Sequence, residues 1–329
     1  MNAMIPAFDP HAVLVAPWTE NLSLFGWIAA MGFAVTGACG LVGNYLMLRR
    51  MALMGDAVSH SVLPGLVAAF LVTSSRGTLP MFAGALAAGG FTTIAIESIH
   101  KLTRVKQDAA IGITFSTLFA IGVVMTSLYA AQVDLDADCV LYGEIAFVPL
   151  EPMVSAVGVV LGPVPFVRMA AVLLMVGLLI VAFYKELLVS AFDPGLARSL
   201  GTNPTLMHYG LMATLSVVVV SAFESVGAIL VVAMLILPGA TASLLSTRLS
   251  RVHLLSLVHA AVSSWLGVTL GVWLDCSIAA AMVVAGALLF ALVWIVSPSE
   301  GLIARWRRRR RAVLPSAMSD DSNPVPEAK

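Results

Sequence analysis

Apolar runs long enough to cross a bilayer recur along this chain at about 25–48, 53–73, 79–98, 109–131, 166–188, 206–222, 226–246, 253–274 and 276–297. A spanning helix needs roughly 20 apolar residues at about 1.5 Å rise each. The run at 206–222 is short and 153–162 reads as an interfacial turn, so the pattern predicts nine spans, with eight as the alternative. Basic residues follow every second run. Arg49 and Arg50 follow the first, and Lys101, Arg104 and Lys106 the third. Lys185 and Arg198 close the fifth, Arg248 and Arg251 the seventh, and Arg305 and Arg307 to Arg311 the ninth. Basic loops stay on the cytoplasmic side. The clusters therefore predict an N-terminus outside and a C-terminus in the cytoplasm. The acidic 132–151 segment, with Asp134, Asp136, Asp138, Glu144 and Glu151, then falls outside. The fold class expected is an all-α polytopic membrane protein of eight to nine transmembrane helices. Its parts are an extracytoplasmic extension over 1–24, a transmembrane domain over 25–298 and a basic cytoplasmic tail over 299–329, largely disordered.

Composition agrees with the pattern. Of the 329 residues 60% are hydrophobic and 11% charged, against about a quarter charged in soluble domains. A large core cannot explain that deficit, because a soluble surface still needs charge; lipid in place of water does. Net charge is zero and the charges are segregated by loop, which is topology and no sign of nucleic-acid binding. Cys39, Cys139 and Cys276 have no metal-type spacing. The first twenty-odd residues lack a basic start and a small-residue cleavage site, so the first span is expected to act as its own insertion signal. Gly32, Gly37, Gly40 and Gly43 in the first run, and Gly84, Ala88 and Gly89 in the third, read as close helix-packing positions.

The stretch from Arg49 to Gly65 carries the most chemistry. Asp56 and His60 are four apart and share one helix face. Ionisable residues in a span cost about 2.5–3.5 kcal/mol each on insertion scales and mark functional paths. A carboxylate oxygen with an imidazole nitrogen suits manganese, iron or zinc better than sodium or calcium. One pair gives two ligands, and a two-fold dimer brings together two pairs. The competing reading is an Asp–His hydrogen bond that only ties helices together. Hydropathy places Asp56 only a turn or two from the arginines, so a deeper position calls for a broken or shifted helix, which Pro64 and Gly65 can supply.

Other polar residues give weaker signals. Glu97 and His100, three apart at the inner end of the third run, are a candidate exit site or a solvated pair. Glu224, between the runs 206–222 and 226–246, is a candidate path residue or a solvated turn residue near the outer face. His253 and His259, six apart, face different directions, and His11 and His208 look incidental. The acidic outer loop attracts cations, docks a binding protein, or is simply solvated. Asp193 suits a helix N-cap, Pro194 the first helical position and Gly201 the C-terminal cap, which defines a two-turn helix. Cys139 and Cys276 both fall on the outer side, where a disulfide between them or two thiols are the alternatives. Cys39 reads as a packed thiol within the first span.

Three segments carry a family resemblance. They are Leu-Arg-Arg-Met-Ala-Leu-Met-Gly-Asp-Ala-Val-Ser-His-Ser-Val-Leu-Pro-Gly over 48–65, the stretch from Phe192 to Gly201, and the stretch from Phe223 to Ala242. The chain resembles the permease family of manganese, zinc and iron uptake ABC transporters over about 20–300, in the expected order. The resemblance implies that Asp56 and His60 are the metal-coordinating pair. It implies that the helix bearing Asp193, Pro194, Ala197 and Gly201 docks into an ATPase. It also implies three partners: a cytoplasmic ABC ATPase subunit, an extracytoplasmic metal-binding protein, and a second permease copy or paralogue. The location implied is the bacterial cytoplasmic (inner) membrane. The cargo is a divalent ion with manganese favoured and zinc or iron as alternatives, and no cofactor is permanently bound. The wording around Gly55 to Gly65 looks closer to manganese-type members. The N-terminal extension and the arginine-rich tail depart from the family pattern.

The chain has no Gly-x-x-x-x-Gly-Lys-Ser/Thr loop, so ATP hydrolysis is expected on a separate subunit and the chain is not itself an enzyme. The competing class is a secondary metal transporter driven by an ion gradient, which calls for several intramembrane acids and an internal repeat. An intramembrane enzyme finds no His-Glu-x-x-His or Gly-x-Ser-x-Gly here.

Overall fold

The computed structural model describes residues 8–75, 78–129, 145–156, 159–297, 301 and 304. A π-helical turn over His11–Val15 leads into the short α1 (Ala16–Thr19). The long helices begin with α2 (Leu22–Leu48), α3 (Met54–Thr73), α4 (Thr78–Leu102) and α5 (Gln107–Tyr129). After a 3-10 turn over Ile145–Leu150 come β1 (Met153–Ala156) and β2 (Val159–Pro163). Then follow α6 (Val164–Ala182), α7 (Tyr184–Phe192), α8 (Pro194–Ser199), α9 (Pro204–Val226), α10 (Ala228–Leu245), α11 (Leu249–Leu274) and α12 (Ile278–Val296). Among the described residues eight helices, α2 to α6, α9, α11 and α12, are long and apolar enough to cross a membrane, and Leu230–Leu245 of α10 is a shorter apolar helix. Each of the nine apolar runs thus corresponds to a helix.

Three local differences from the sequence reading have physical causes. The run 166–188 is one apolar stretch but two helices, because the chain leaves helical geometry at Phe183 (φ −109°, ψ 24°). The expected turn at 153–162 is a small antiparallel hairpin, Met153 opposite Pro163, in which β-branched Val154, Val159 and Val160 favour strand. The α9–α10 junction is a single residue, Gly227 (φ 80°, ψ 161°), a backbone region open to glycine alone. Ser225, Val226 and Gly227 are buried, so this junction is no solvated turn. The backbone of Glu224 belongs to the last turn of α9, and its side chain lies outside the description. The acidic positions 134, 136, 138 and 144, Cys139 and Arg305 to Arg311 also lie outside the described residues.

Helix α2 is the centre, packed by α6, α9, α10 and α11. Its glycines permit that, since lipid offers helices no hydrophobic drive and close backbone approach must supply contact instead. Gly43 lies against the Leu235 carbonyl of α10, Gly40 against Pro238, and Gly37 against Leu257 of α11 and Leu173 of α6. A second group is α3, α4 and α5. There Gly65 and Gly84 cross so closely that a methyl on either would strike the other's carbonyl.

The bundle has two chemically distinct ends. Trp18 with Trp265 (6.4 Å), Phe8 with Trp273 (5.2 Å) and Trp27 with Phe166 (5.1 Å) form an aromatic end, the kind of girdle found at membrane interfaces. Arg49, Lys101 and His208, joined by side-chain contacts, lie at the opposite, basic end.

Candidate metal site

The segment that places Asp56 starts at the end of α2. Arg49 caps that helix, and Arg50 adopts a left-handed conformation (φ 57°). Arg50 N donates to Met47 O (3.0 Å) and Met51 N to Leu46 O (2.8 Å), the two bonds of a Schellman turn. Met51 and Met54 are buried, so the chain turns inward and α3 begins inside the bundle. Gly55 packs on Leu235, ten residues before the end of α10 and so about 15 Å from that end. Val58 meets Gly89, thirteen residues before Leu102 and so roughly 20 Å along α4. Depth is thus reached by this offset. It is not reached by a break at Pro64, which sits within an unbroken α3. Pro64 has no N–H, so it cannot donate to the His60 carbonyl.

Asp56 and His60 meet on one face of α3, with His60 Nε2 3.3 Å from Asp56 Oδ1. The contact lies within α3 and does not itself join two helices. Helix α5 walls the imidazole with Phe115 and Phe119, ring centroids 5.5 and 5.6 Å away. The side chains remain 35% (Asp56) and 23% (His60) exposed. Among the described residues, no three His, Cys, Asp or Glu side chains cluster as a metal site. A tetrahedral site needs two donors beyond this pair.

Glu97 and His100 are not brought together. The His100 Nδ1–H donates to the Val105 carbonyl (3.2 Å). Glu97 instead meets Lys101 Nζ (2.6 Å) through Oε1 and His208 Nε2 (3.3 Å) through Oε2. His208, which looked incidental in sequence, also accepts from Arg49 Nη1 at 3.4 Å. Burial pulls the Arg49 pKa below its ordinary value, and the neighbouring Tyr45 acts the other way. Lys101 on Glu97 and Arg49 on its partner His208 put positive charge here, which works against a divalent cation. The signal that marks His208 was present in sequence: an ionisable side chain within an apolar run. The spacing of Phe115 and Phe119, four apart, likewise puts them on one face. His253 and His259 are both buried. Asn44 Nδ2 donates to His253 Nδ1 (2.8 Å), and Ser256 Oγ donates to Asn44 Oδ1 (3.2 Å).

The caps read from sequence around α8 are present. Asp193 Oδ1 accepts from Gly195 N (2.8 Å) and Leu196 N (3.0 Å), and Pro194 opens the helix. At its other end Gly201 (φ 82°) donates to Arg198 O (3.0 Å) and Thr202 N to Ala197 O (2.9 Å), a second Schellman turn. Ala197 is fully buried, while Phe192, Leu196 and Leu200 are exposed apolar groups around this helix.

Residues 23–297 match the ABC 3 transport family. The chain belongs to that family. It is 44% identical over 284 residues to the manganese transport system membrane protein MntD of Bacillus subtilis (strain 168), covering 86% of this chain and 96% of that one. It is 44% identical over 278 residues to the zinc transport system membrane protein TroD of Treponema pallidum (strain Nichols), covering 84% of this chain and 75% of the other. The structure is similar to that of PsaBC from Streptococcus pneumoniae in complex with Fab, with a TM-score of 0.74 and 31% identity. That match covers 90% of this chain and all of the other. These alignments cover 84% and 86% of this chain, so the similarity is not confined to one motif.

Proposed function

We propose that this chain is the multi-pass permease subunit of an ATP-binding-cassette importer that carries a divalent transition metal across a bacterial cytoplasmic membrane. Family membership supports the transport class and leaves the gradient-driven alternative without support. The observation that carries the site is the Asp56–His60 pair, which shares one face of α3 and stays partly exposed although α3 packs on α10. Manganese is the favoured cargo, with zinc and iron as alternatives, since carboxylate plus imidazole serves all three. The basic end faces the cytoplasm. A second copy or paralogue related by a two-fold axis contributes its own Asp–His pair and completes four ligands.

The Asp193–Gly201 segment, rigidly capped at both ends, is the docking helix for a cytoplasmic ATPase. Its exposed Phe192, Leu196 and Leu200 supply the apolar contact. A metal-binding protein delivers the ion at the aromatic end. Glu224 has no assigned role in this path. The test is ATP-dependent uptake of radioactive manganese by proteoliposomes holding the permease, with and without its ATPase. Uptake that needs both proteins and ATP supports the proposal. Uptake that follows an imposed ion gradient without ATPase contradicts it.

A further inference from the structure

We infer that Arg49 is a positioning residue that links the α7–α8 segment to the Asp56–His60 pair. This rests on the reading of α8 as the ATPase-docking helix. Arg49 stands where four elements meet. Its Nη2 donates to Ser190 Oγ of α7 (2.8 Å), and its Nη1 to His208 Nδ1 of α9 (3.4 Å). His208 in turn reaches Glu97 of α4 at 3.3 Å.

The polarity of this chain of contacts is fixed. Ser190 Oγ spends its own hydrogen on the Leu187 carbonyl (3.1 Å), so towards Arg49 it only accepts. His208 Nδ1 accepts from a guanidinium that has no lone pair to offer, so the ring proton sits on Nε2, whose 3.3 Å approach to Glu97 Oε2 is a close polar contact and not an aligned hydrogen bond. Only a donor with two separated N–H groups at position 49 serves Ser190 and His208 together, which a lysine cannot do in the same geometry.

The link to the metal pair is the backbone that follows. Arg50 holds a left-handed conformation without being glycine (φ 57°), a local strain typical of switch segments. The Schellman bonds to Leu46 and Met47 and the buried Met51 and Met54 make the turn from α2 to α3 short and stiff. Asp56 lies in the first turn of α3. A displacement of α7 that pulls Ser190 therefore moves Arg49 and, through this turn, the start of α3. The relay holds no cargo, in keeping with Lys101 on Glu97 and Arg49 on His208.

The experiment uses the complete permease–ATPase complex in proteoliposomes and records metal imported per ATP hydrolysed. Arg49→Ala is expected to keep manganese binding at equilibrium and ATP hydrolysis, while ions imported per ATP fall about tenfold. Arg49→Lys is expected to recover part of the loss. His208→Gln, whose amide can accept from Arg49 and donate to Glu97, is expected to stay near wild type, and His208→Leu to uncouple. An unchanged transport ratio in Arg49→Ala overturns the inference. If Arg49→Ala does not assemble, the His208→Gln and His208→Leu pair decides: equal ratios in the two overturn it. A wild-type complex that imports no metal refutes the permease reading instead, so the two failures are distinct.

Discussion

Among the described residues two carboxylate–imidazole pairs stand at the same separation, Asp56 with His60 within one helix and Glu97 with His208 between two, each at 3.3 Å. Their surroundings differ in charge and in wiring. The Asp56 carboxylate meets His60, whose ring lies against Phe115 and Phe119, and both side chains remain partly exposed. Glu97 is also held by Lys101, and His208 by Arg49. A metal arriving at the first pair meets a carboxylate and an imidazole with no Lys or Arg side chain among their described contacts. At the second it would have to displace an ammonium group while facing a guanidinium. On the proposed reading the same two side-chain types serve as a ligand set in one place and as a structural relay in the other, and the neighbouring cations set them apart.

The largest effect expected is at the first pair. Asp56→Asn or His60→Ala is expected to abolish manganese uptake by the reconstituted complex, with membrane insertion and ATPase association intact. Normal uptake by both variants would remove the site. At the second pair the same kind of change should act on rate and not on affinity. Glu97→Gln is expected to lower maximal uptake several-fold while the metal concentration for half-maximal uptake stays put, in line with typical coupling terms of roughly 1–3 kcal/mol. A shift in that concentration as large as in an Asp56 variant would erase the distinction drawn here.

A smaller effect is expected where the relay meets α8. Gly201→Val forces a β-branched residue into a left-handed position (φ 82°), at a cost of about 1–2 kcal/mol. ATPase co-purification should weaken and uptake fall with it, while manganese binding persists. Full retention of both would separate α8 from coupling. The smallest perturbation leaves both pairs intact and asks which way they face. Cys276 is exposed in the α11–α12 turn. A membrane-impermeant maleimide added outside intact cells should label it, and labelling only after permeabilisation would reverse the orientation.

Much of this was legible in sequence wherever the cause is local. Asp193, Pro194 and Gly201 announce a capped helix because caps act within a few residues, and the apolar runs announce the helices because lipid contact is read from composition. The separation of Asp56 from His60 fixes a shared face by helical periodicity alone. What stayed hidden depends on register between helices. The inward offset of α3 follows from Gly55 against Leu235 and Gly43 against the same residue, contacts between segments nearly two hundred positions apart. For the same reason Glu97 was paired with nearby His100, and its partner in space, His208, passed as incidental. The break at Phe183 was invisible because hydropathy does not register backbone direction.

The most direct test of the account is a manganese titration of the purified complex followed by electron paramagnetic resonance. It compares wild type with Asp56→Asn and with Glu97→Gln. The account predicts that the bound-manganese signal is lost in Asp56→Asn and unchanged in Glu97→Gln. Loss in Glu97→Gln with retention in Asp56→Asn would contradict it.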